Sequence, residues 1–322
     1  MSYHLTPFTS EHFDPAVALF IEGYRQECVR SPLLPTRAID DPAWIRSMLA
    51  ACLDNALWNS ASGVAVMQND RLAAYMMTGA QFPWKGQHVA LVPEYGHSAI
   101  AEDKETLYQR MYMHLAQTWV DNHIHLHIIG HFAHDDVLRE TLYQLGFGGI
   151  VAERLRDLSP IDTPTGIAIF EEPDVHKLAD LELEHNCYYF KAPIFLTKDT
   201  DRSVMLADLD EHAQAGDAFF VYYEDGKPRA NMIVGPSSLN GEGFLLRDTN
   251  TAQLKSAFAQ PDMRGKGVGA ALLSRAIQWA QMQGCARLFV EHETANFYGS
   301  RFWRKHFTPY LYFSMRYVDN TI

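Results

Sequence analysis

The stretch Phe258-Ala-Gln-Pro-Asp-Met-Arg-Gly-Lys-Gly-Val-Gly-Ala270 joins an apolar, strand-like run to a strongly amphipathic helical pattern through a turn dense in glycine. Gly265, Gly267 and Gly269 carry no Cβ, so the backbone there can take positive φ and approach a ligand closely. The helix that follows turns its unpaired N–H groups and positive dipole end toward the same place. A strand, a glycine turn and a helix in that order make an anion cradle, suited to a phosphate or pyrophosphate. Arg264 and Lys266 add charge-assisted contacts, and the backbone from Gly265 through Val268 to Ala270 is expected to face the anion.

Spacing separates the glycine-loop families. A phosphate loop of the Walker type needs Gly-Lys followed by Ser or Thr, but Lys266 lies between two glycines and no hydroxyl residue follows. A dinucleotide fingerprint fits better, since Gly265, Gly267 and Ala270 match its pattern and Glu291 falls near the place of a ribose-binding acid. That fold expects several further strand–helix units after the motif. Residues 271–322 read instead as the rest of one helix, one strand, another helix and a last strand.

The stretch resembles the acyl-coenzyme A signature of GNAT-type N-acetyltransferases: a strand, a Pro two residues beyond it, then Arg/Gln-x-x-Gly-x-Gly/Ala opening a helix. The downstream pattern agrees, with Ala286-Arg-Leu-Phe-Val-Glu-His292 as the next strand, then Asn296, then Phe302-Trp303-Arg-Lys-His306-Phe307. Trp303 and His306 depart from the family's usual residues. The resemblance implies that main-chain groups of Ala257, Phe258 and Ala259 pair with the pantetheine arm as an added strand, one N–H polarising the thioester carbonyl. It also implies that Asn296 contacts the donor, although helix capping explains an Asn there equally well.

The whole chain reads as a duplication. Trp119, Asp136, Leu142, Tyr143 and Phe147 recur as Trp279, Asn296, Phe302, Trp303 and Phe307, each pair 160 positions apart. Gly63 to Met77 reads as a hairpin turning at Asn69-Asp70, and Phe219 to Gly226 with Ala230 to Val234 repeats that idea. Leu107 to Val120 is expected to be helical and His123 to Ile129 a strand, matching Gly267 to Gln281 and Arg287 to His292. At the place of the glycine cradle the first half has Val92-Pro-Glu-Tyr-Gly-His-Ser-Ala99, which keeps the Pro and loses the repeated glycines and bases. The expectation is therefore a mixed α/β (α+β) protein of two tandem GNAT-like domains, each a twisted, mostly antiparallel sheet flanked by helices. Residues 1–160 form a degenerate copy and 161–322 the domain that binds acyl-coenzyme A. The division falls in Leu158-Ser-Pro-Ile-Asp-Thr-Pro-Thr-Gly166, whose prolines and hydroxyl residues interrupt rather than continue an element.

The chain of 322 residues has 47% hydrophobic and 20% charged residues, ordinary for a globular protein, and is long enough for two cores. A formal charge of −12 argues against nucleic acid as the main partner. No run of eighteen uncharged apolar residues occurs, and Met1 to Phe20 lacks the basic start and greasy centre of a leader, so a cytoplasmic protein without a membrane partner is expected. Cys28, Cys52, Cys187 and Cys285 are scattered, which suits free thiols rather than a disulfide or zinc framework. His123, His125 and His127 alternate on one expected strand face without a carboxylate at ligand spacing, so no metal is assigned to them.

Acetyl transfer to an amine needs a base, and here the residues leave choices open. Many GNAT relatives carry a Glu about eight residues before the Pro; this chain has Gln253, an amide that cannot accept the proton. Asp248 and Glu291 are the candidate bases, with His292 a further one. For the acid, Trp303 stands where relatives have Tyr, leaving Tyr298, Tyr310 or Tyr312, or unaided departure of an already acidic thiol. His185-Asn-Cys-Tyr-Tyr-Phe-Lys-Ala-Pro-Ile-Phe195 falls where relatives build the acceptor wall, and could equally seal an interface. The activity expected from the resemblance is N-acetylation by acetyl-coenzyme A of a small-molecule amine or a peptide amino terminus by direct attack. A non-enzymatic acyl-coenzyme A sensor is the alternative, favoured by the missing Glu and Tyr.

Overall fold

The structure is a computed structural model and describes residues 3–54, 63–79, 82–84, 86–237, 244–246, 248 and 250–322. By its internal contacts the chain divides into Met1–Ala152 with Tyr310–Ile322, and Glu153–Pro309. The tandem division expected near residue 160 makes no provision for the return of the last residues to the first unit.

The first unit runs β1 (His4–Pro7), α1 (Phe13–Arg30), α2 (Arg37–Asp40), α3 (Pro42–Leu53), β2 (Gly63–Gln68), β3 (Arg71–Met77), β4 (Phe82–Trp84), β5 (Gln87–Val92), β6 (His97–Ala99), α4 (Lys104–Asp121), β7 (Leu126–Phe132) and α5 (Asp136–Gln144). β2 and β3 form the expected hairpin. Asn69 and Asp70 both take positive φ, the left-handed pair that lets a two-residue turn follow the strand twist. The apolar faces of β2, β3 and β5 close over Leu107, Tyr108, Met111, Leu115 and Trp119 of α4. The strand β8 (Gly148–Arg156) carries the chain across the division.

In the second unit come β9 (Phe170–Glu171), α6 (Ala179–Tyr189), α7 (Arg202–Gln214), β10 (Ala218–Glu224), β11 (Lys227–Pro236), β12 (Thr251–Ala259), α8 (Val268–Met282), β13 (Arg287–Glu293) and α9 (Phe297–His306). β9, β10, β11 and β12 pair antiparallel in that order, and β13 joins β12 in parallel. Asp225 and Gly226 take positive φ in the β10–β11 turn. Leu272, Leu273, Ala276, Ile277 and Trp279, all from one face of α8, pack onto Phe220, Met232, Val234, Leu254 and Val290. The chain ends in β14 (Thr308–Tyr317), whose residues from Leu311 pair antiparallel with β7.

The fold is thus mixed α/β, with mostly antiparallel strands flanked by helices. The repeat is visible in it: Trp119 and Trp279 lie on α4 and α8, and Phe147 and Phe307 are buried just past α5 and α9. The register slips by one at the next helix, because Asp135 rather than Asp136 caps α5 while Asn296 caps α9. Two expectations need correction. Val92 to Ala99 is not the first unit's loop: β5 and β6 take up its ends, and the counterpart of the cradle is Ile100-Ala-Glu-Asp103, directly before α4. His123, with positive φ, and His125 precede β7, so the three histidines share no strand face; His127 is buried, its ring nitrogens held by Tyr112 and the carbonyl of Ile124. No helix among the described residues is long and apolar enough to cross a membrane.

Candidate active site

Two local features of the second unit open a cleft. The parallel ladder of β12 and β13 runs from Thr251–Arg287 to Leu254–Val290 and stops there. At the same point β12 carries a bulge toward β11: Ile233 faces Ser256 and Val234 faces Leu254, so Lys255 is the extra residue. A bulge bends its strand and strengthens its twist, which turns Lys255–Ala259 away from β13. The Lys255 ammonium is fixed by the buried carboxylate of Asp217 at 2.7 Å, and this pins the bulge. The freed edge of β12 lines a cavity of about 600 Å³, with Val290, Glu291 and His292 of β13 on its other side.

The glycine turn closes one end. Gly265 and Gly267 take φ of +77° and +89°, and Gly267 is the left-handed N-cap of α8. No side chain caps this helix, and its first backbone bond runs from Ala271 N to Gly267 O at 3.1 Å. The N–H groups of Val268, Gly269 and Ala270 are therefore those a helix leaves to a ligand, at its positive end. Gly265, Gly267, Gly269 and Ala270 line the cavity. At Gly269 a Cβ would be tight, 3.2 Å from the Phe302 ring.

The two basic residues of the turn have different surroundings. The Arg264 guanidinium lies 4.7 Å from the ring centres of both Tyr188 and Tyr298, and its Nε donates to Ala259 O at 3.2 Å. It ties α6, β12 and α9 together while still lining the cavity. Lys266 is exposed and the Val268 side chain is buried in the core, so neither side chain lines the cavity. Asn296 caps α9, its Oδ1 accepting from Gly299 N at 3.0 Å and also from Tyr188 Oη at 3.1 Å, and it lines the cavity.

Of the candidate proton-transfer groups, Glu291 and Tyr298 line the cavity, as do Ala257, Phe258 and Ala259. Asp248 does not. It precedes β12 rather than lying in it, and its carboxylate is bound by Arg287 Nη1 at 2.9 Å and by Asn250 N. His292 lines the cavity, but its Nε2 accepts from Arg154 Nε at 3.0 Å; burial, reinforced by that cation, pulls the imidazole down to about 4. Its lone pair is already committed. Tyr310 and Tyr312 belong to the first unit, with Tyr310 O accepting from Ala133 N and the Tyr312 ring beside His131.

A cluster at the inner end of the cavity escapes sequence reasoning. Glu182, fully within α6 and buried, accepts from Asn231 Nδ2, from Ser256 Oγ at 3.0 and 3.1 Å, and lies 3.3 Å from His185 Nδ1. Burial alone would raise its carboxyl; the bonds from His185, Asn231 and Ser256 outweigh that and hold it below the ordinary carboxylate range. His185 stacks on Phe258, ring centres 5.0 Å apart. The readable signal was Glu182 and His185 three apart on one helix. Asn231 and Ser256, on separate strands, gave none.

Residues 178–307 match the family model described as Acetyltransferase (GNAT) family. Among solved structures, a GCN5-related N-acetyltransferase from Sphaerobacter thermophilus is similar over 98% of this chain and 95% of its own, with a TM-score of 0.57 at 12% identity. A GCN5-related glucosamine N-acetyltransferase region of a fungal multi-domain GH3 beta-N-acetylglucosaminidase is similar over 98% of this chain and 38% of that protein, with a TM-score of 0.56 at 11% identity. Identities this low speak for the fold alone. Among curated proteins, no relative matches. With the strand, glycine turn and helix in the order that the family's signature has, residues 178–307 are similar to the GNAT family of acetyltransferases.

Proposed function

We propose that the second unit transfers an acetyl group from acetyl-coenzyme A to a primary amine, either of a small molecule or at a peptide amino terminus, by direct attack. One observation carries this reading: the uncapped N-terminus of α8, with its two positive-φ glycines, opens into the same cavity as the freed edge of β12. The diphosphate fits the backbone N–H groups of Gly265 and of Gly267 to Ala270, the Lys266 N–H being already given to Met263 O, and the pantetheine arm fits the edge formed by Ala257, Phe258 and Ala259 as an added strand. When bound, the donor supplies an activated acyl group with a good thiol leaving group. The chain's own part is to hold it straight, to place an N–H of the β12 edge at the carbonyl oxygen, and to exclude water between α6 and α9.

Arg264 acts through the geometry of the turn, by bracing it against two tyrosines. Tyr298, on the α9 wall, is one of the lining phenols and the one assigned to the departing thiolate, and Glu291 and His185 are lining groups that could take the amine's proton.

Thermal denaturation with and without coenzyme A, followed by thiol release from acetyl-coenzyme A over a panel of primary amines, tests the proposal. Stabilisation by coenzyme A and amine-dependent release are expected. Stabilisation without release from any amine would make the protein a sensor, and no stabilisation at all would sink the cradle.

A further inference from the structure

We infer that His185 is the general base of the proposed reaction, with Glu182 as its positioning residue. The inference rests on the acetyl-transfer reading and names the group which that reading leaves open.

The two ring nitrogens of His185 have different surroundings. Nδ1 lies 3.3 Å from Glu182 Oε2 and 3.4 Å from Ser256 Oγ. Nε2 has no hydrogen-bond partner among the described residues and is not sealed from solvent, and His185 lines the cavity. A buried carboxylate that already accepts from Asn231 and Ser256 presents a lone pair to the imidazole, so Nδ1 carries the hydrogen and the lone pair of the ring sits on Nε2. That is the division of labour by which an acid orients a catalytic histidine.

Ser256 is not the nucleophile of a triad. Its hydroxyl contacts the carboxylate and the same ring nitrogen that the carboxylate faces, whereas a nucleophile must face the opposite nitrogen. Ser256 completes the carboxylate's hydrogen bonds instead.

The location suits the chemistry. The imidazole stacks on Phe258, in the middle of the β12 edge proposed to hold the donor's arm, so a base on this ring stands beside the acyl group. Its aromatic neighbour on α6 is Tyr189, 5.2 Å away between ring centres, whose phenol is pushed up by burial and by Glu293. In the reaction the amine lone pair forms the C–N bond at the thioester carbonyl and the amine's proton passes to His185 Nε2. The C–S bond breaks, and the thiolate takes up a proton to leave as thiol. No oxidant or metal enters.

The test has two arms on the full chain. The first is long-range ¹⁵N–¹H NMR of the imidazoles in the free protein, with His185 assigned through His185→Gln: it should appear as the Nδ1–H tautomer, and Glu182→Gln should mix its tautomers. An Nε2–H tautomer in the wild type overturns the inference. The second arm takes the amine that gives the fastest thiol release with the wild type. His185→Ala should lower kcat by about 10²-fold or more at unchanged coenzyme A affinity, and Glu182→Gln by roughly ten- to hundredfold. Added imidazole should restore His185→Ala turnover, more so for more basic imidazoles, which a packing role would not do. Full activity of His185→Gln, or loss only in Glu291→Gln, defeats the base assignment while leaving acetyl transfer standing. A wild type inert toward every amine defeats the transferase reading itself, and the base with it.

Discussion

Pro164 Cγ lies 2.3 Å from the point where a β-carbon on Gly267 would stand. The segment that bears Pro164 runs alongside α8 in the opposite direction, because Gln281 Nε2, near the helix's far end, donates to Leu158 O at 2.7 Å. Ile161 and Ile167 of the same segment pack against the core under the helix. What reads in sequence as a linker is a strap along the helix whose N-terminus forms the cradle.

Gly267 is therefore constrained twice, by φ and by Pro164, and Gly265 only once, since nothing stands within 4 Å of a Cβ there. Gly267→Val should cost two or three backbone contacts to the diphosphate, about 2–3 kcal/mol, or about 10²-fold in coenzyme A affinity, along with some thermal stability. Gly265→Ala should cost only the left-handed strain of about 1–2 kcal/mol. Isothermal titration and melting of both variants check this; equal effects from the two would mean that the strap has no bearing on the cradle.

Arg264 between Tyr188 and Tyr298 predicts a different sensitivity. Two stacked contacts at half-exposed positions are worth about 1–2 kcal/mol together and depend on a flat guanidinium. Arg264→Lys should weaken coenzyme A binding by about tenfold although the charge is kept. If Lys binds as well as Arg and Ala does not, the residue acts as a point charge on the phosphates and the brace is irrelevant.

Stability should fall in mild acid. Burial lowers His97, His127 and His131 in the first unit and His292 in the second from 6.5 to about 4. Between those values the unfolded chain binds protons that the folded chain refuses, so the stability these residues contribute is complete above about pH 6.5 and is lost as pH falls toward 4. Each such group changes the unfolding free energy by up to about 1.4 kcal/mol per pH unit within that window. Denaturant titrations from pH 7 to 4.5 should show the decline, and His131→Gln should flatten it. A stability independent of pH over this range would mean that the rings are reached by water.

The cradle was legible because glycine spacing, flanking bases and helical periodicity all sit within thirteen consecutive residues, Phe258 to Ala270. Both hairpins were legible too, since Asn69-Asp70 and Asp225-Gly226 announce left-handed turns. The candidate proton-transfer groups were legible only in part: Glu291 and Tyr298 line the cavity, and the others do not serve as read. Asp248 looked like a strand carboxylate and is Arg287's partner; His292 looked like a free imidazole and is Arg154's acceptor. Those partners come from distant sequence, as do Asn231 and Ser256 around Glu182, and no local pattern encodes them. The two tyrosines that flank Arg264 were not legible, because they lie on two different helices.

The first unit gives the last prediction. Its counterpart of α8 is α4, which begins at Lys104 after Ile100-Ala-Glu-Asp103. Two carboxylates and no glycine stand where the second unit has three glycines. Lys104 offers no compensation, because its ammonium is held by Asp135 at 2.6 Å. A diphosphate brought to this helix end would meet like charges at the entrance and a loop with no exposed run of glycine N–H groups, so the dipole that favours anions is cancelled locally. Titration should accordingly give one coenzyme A per chain, and Gly267→Val should weaken it about 10²-fold without uncovering a second site. A stoichiometry of two, or single-site binding that persists unweakened in Gly267→Val and is abolished by Glu102→Lys, would put the donor in the first unit and reverse the roles of the chain's two halves.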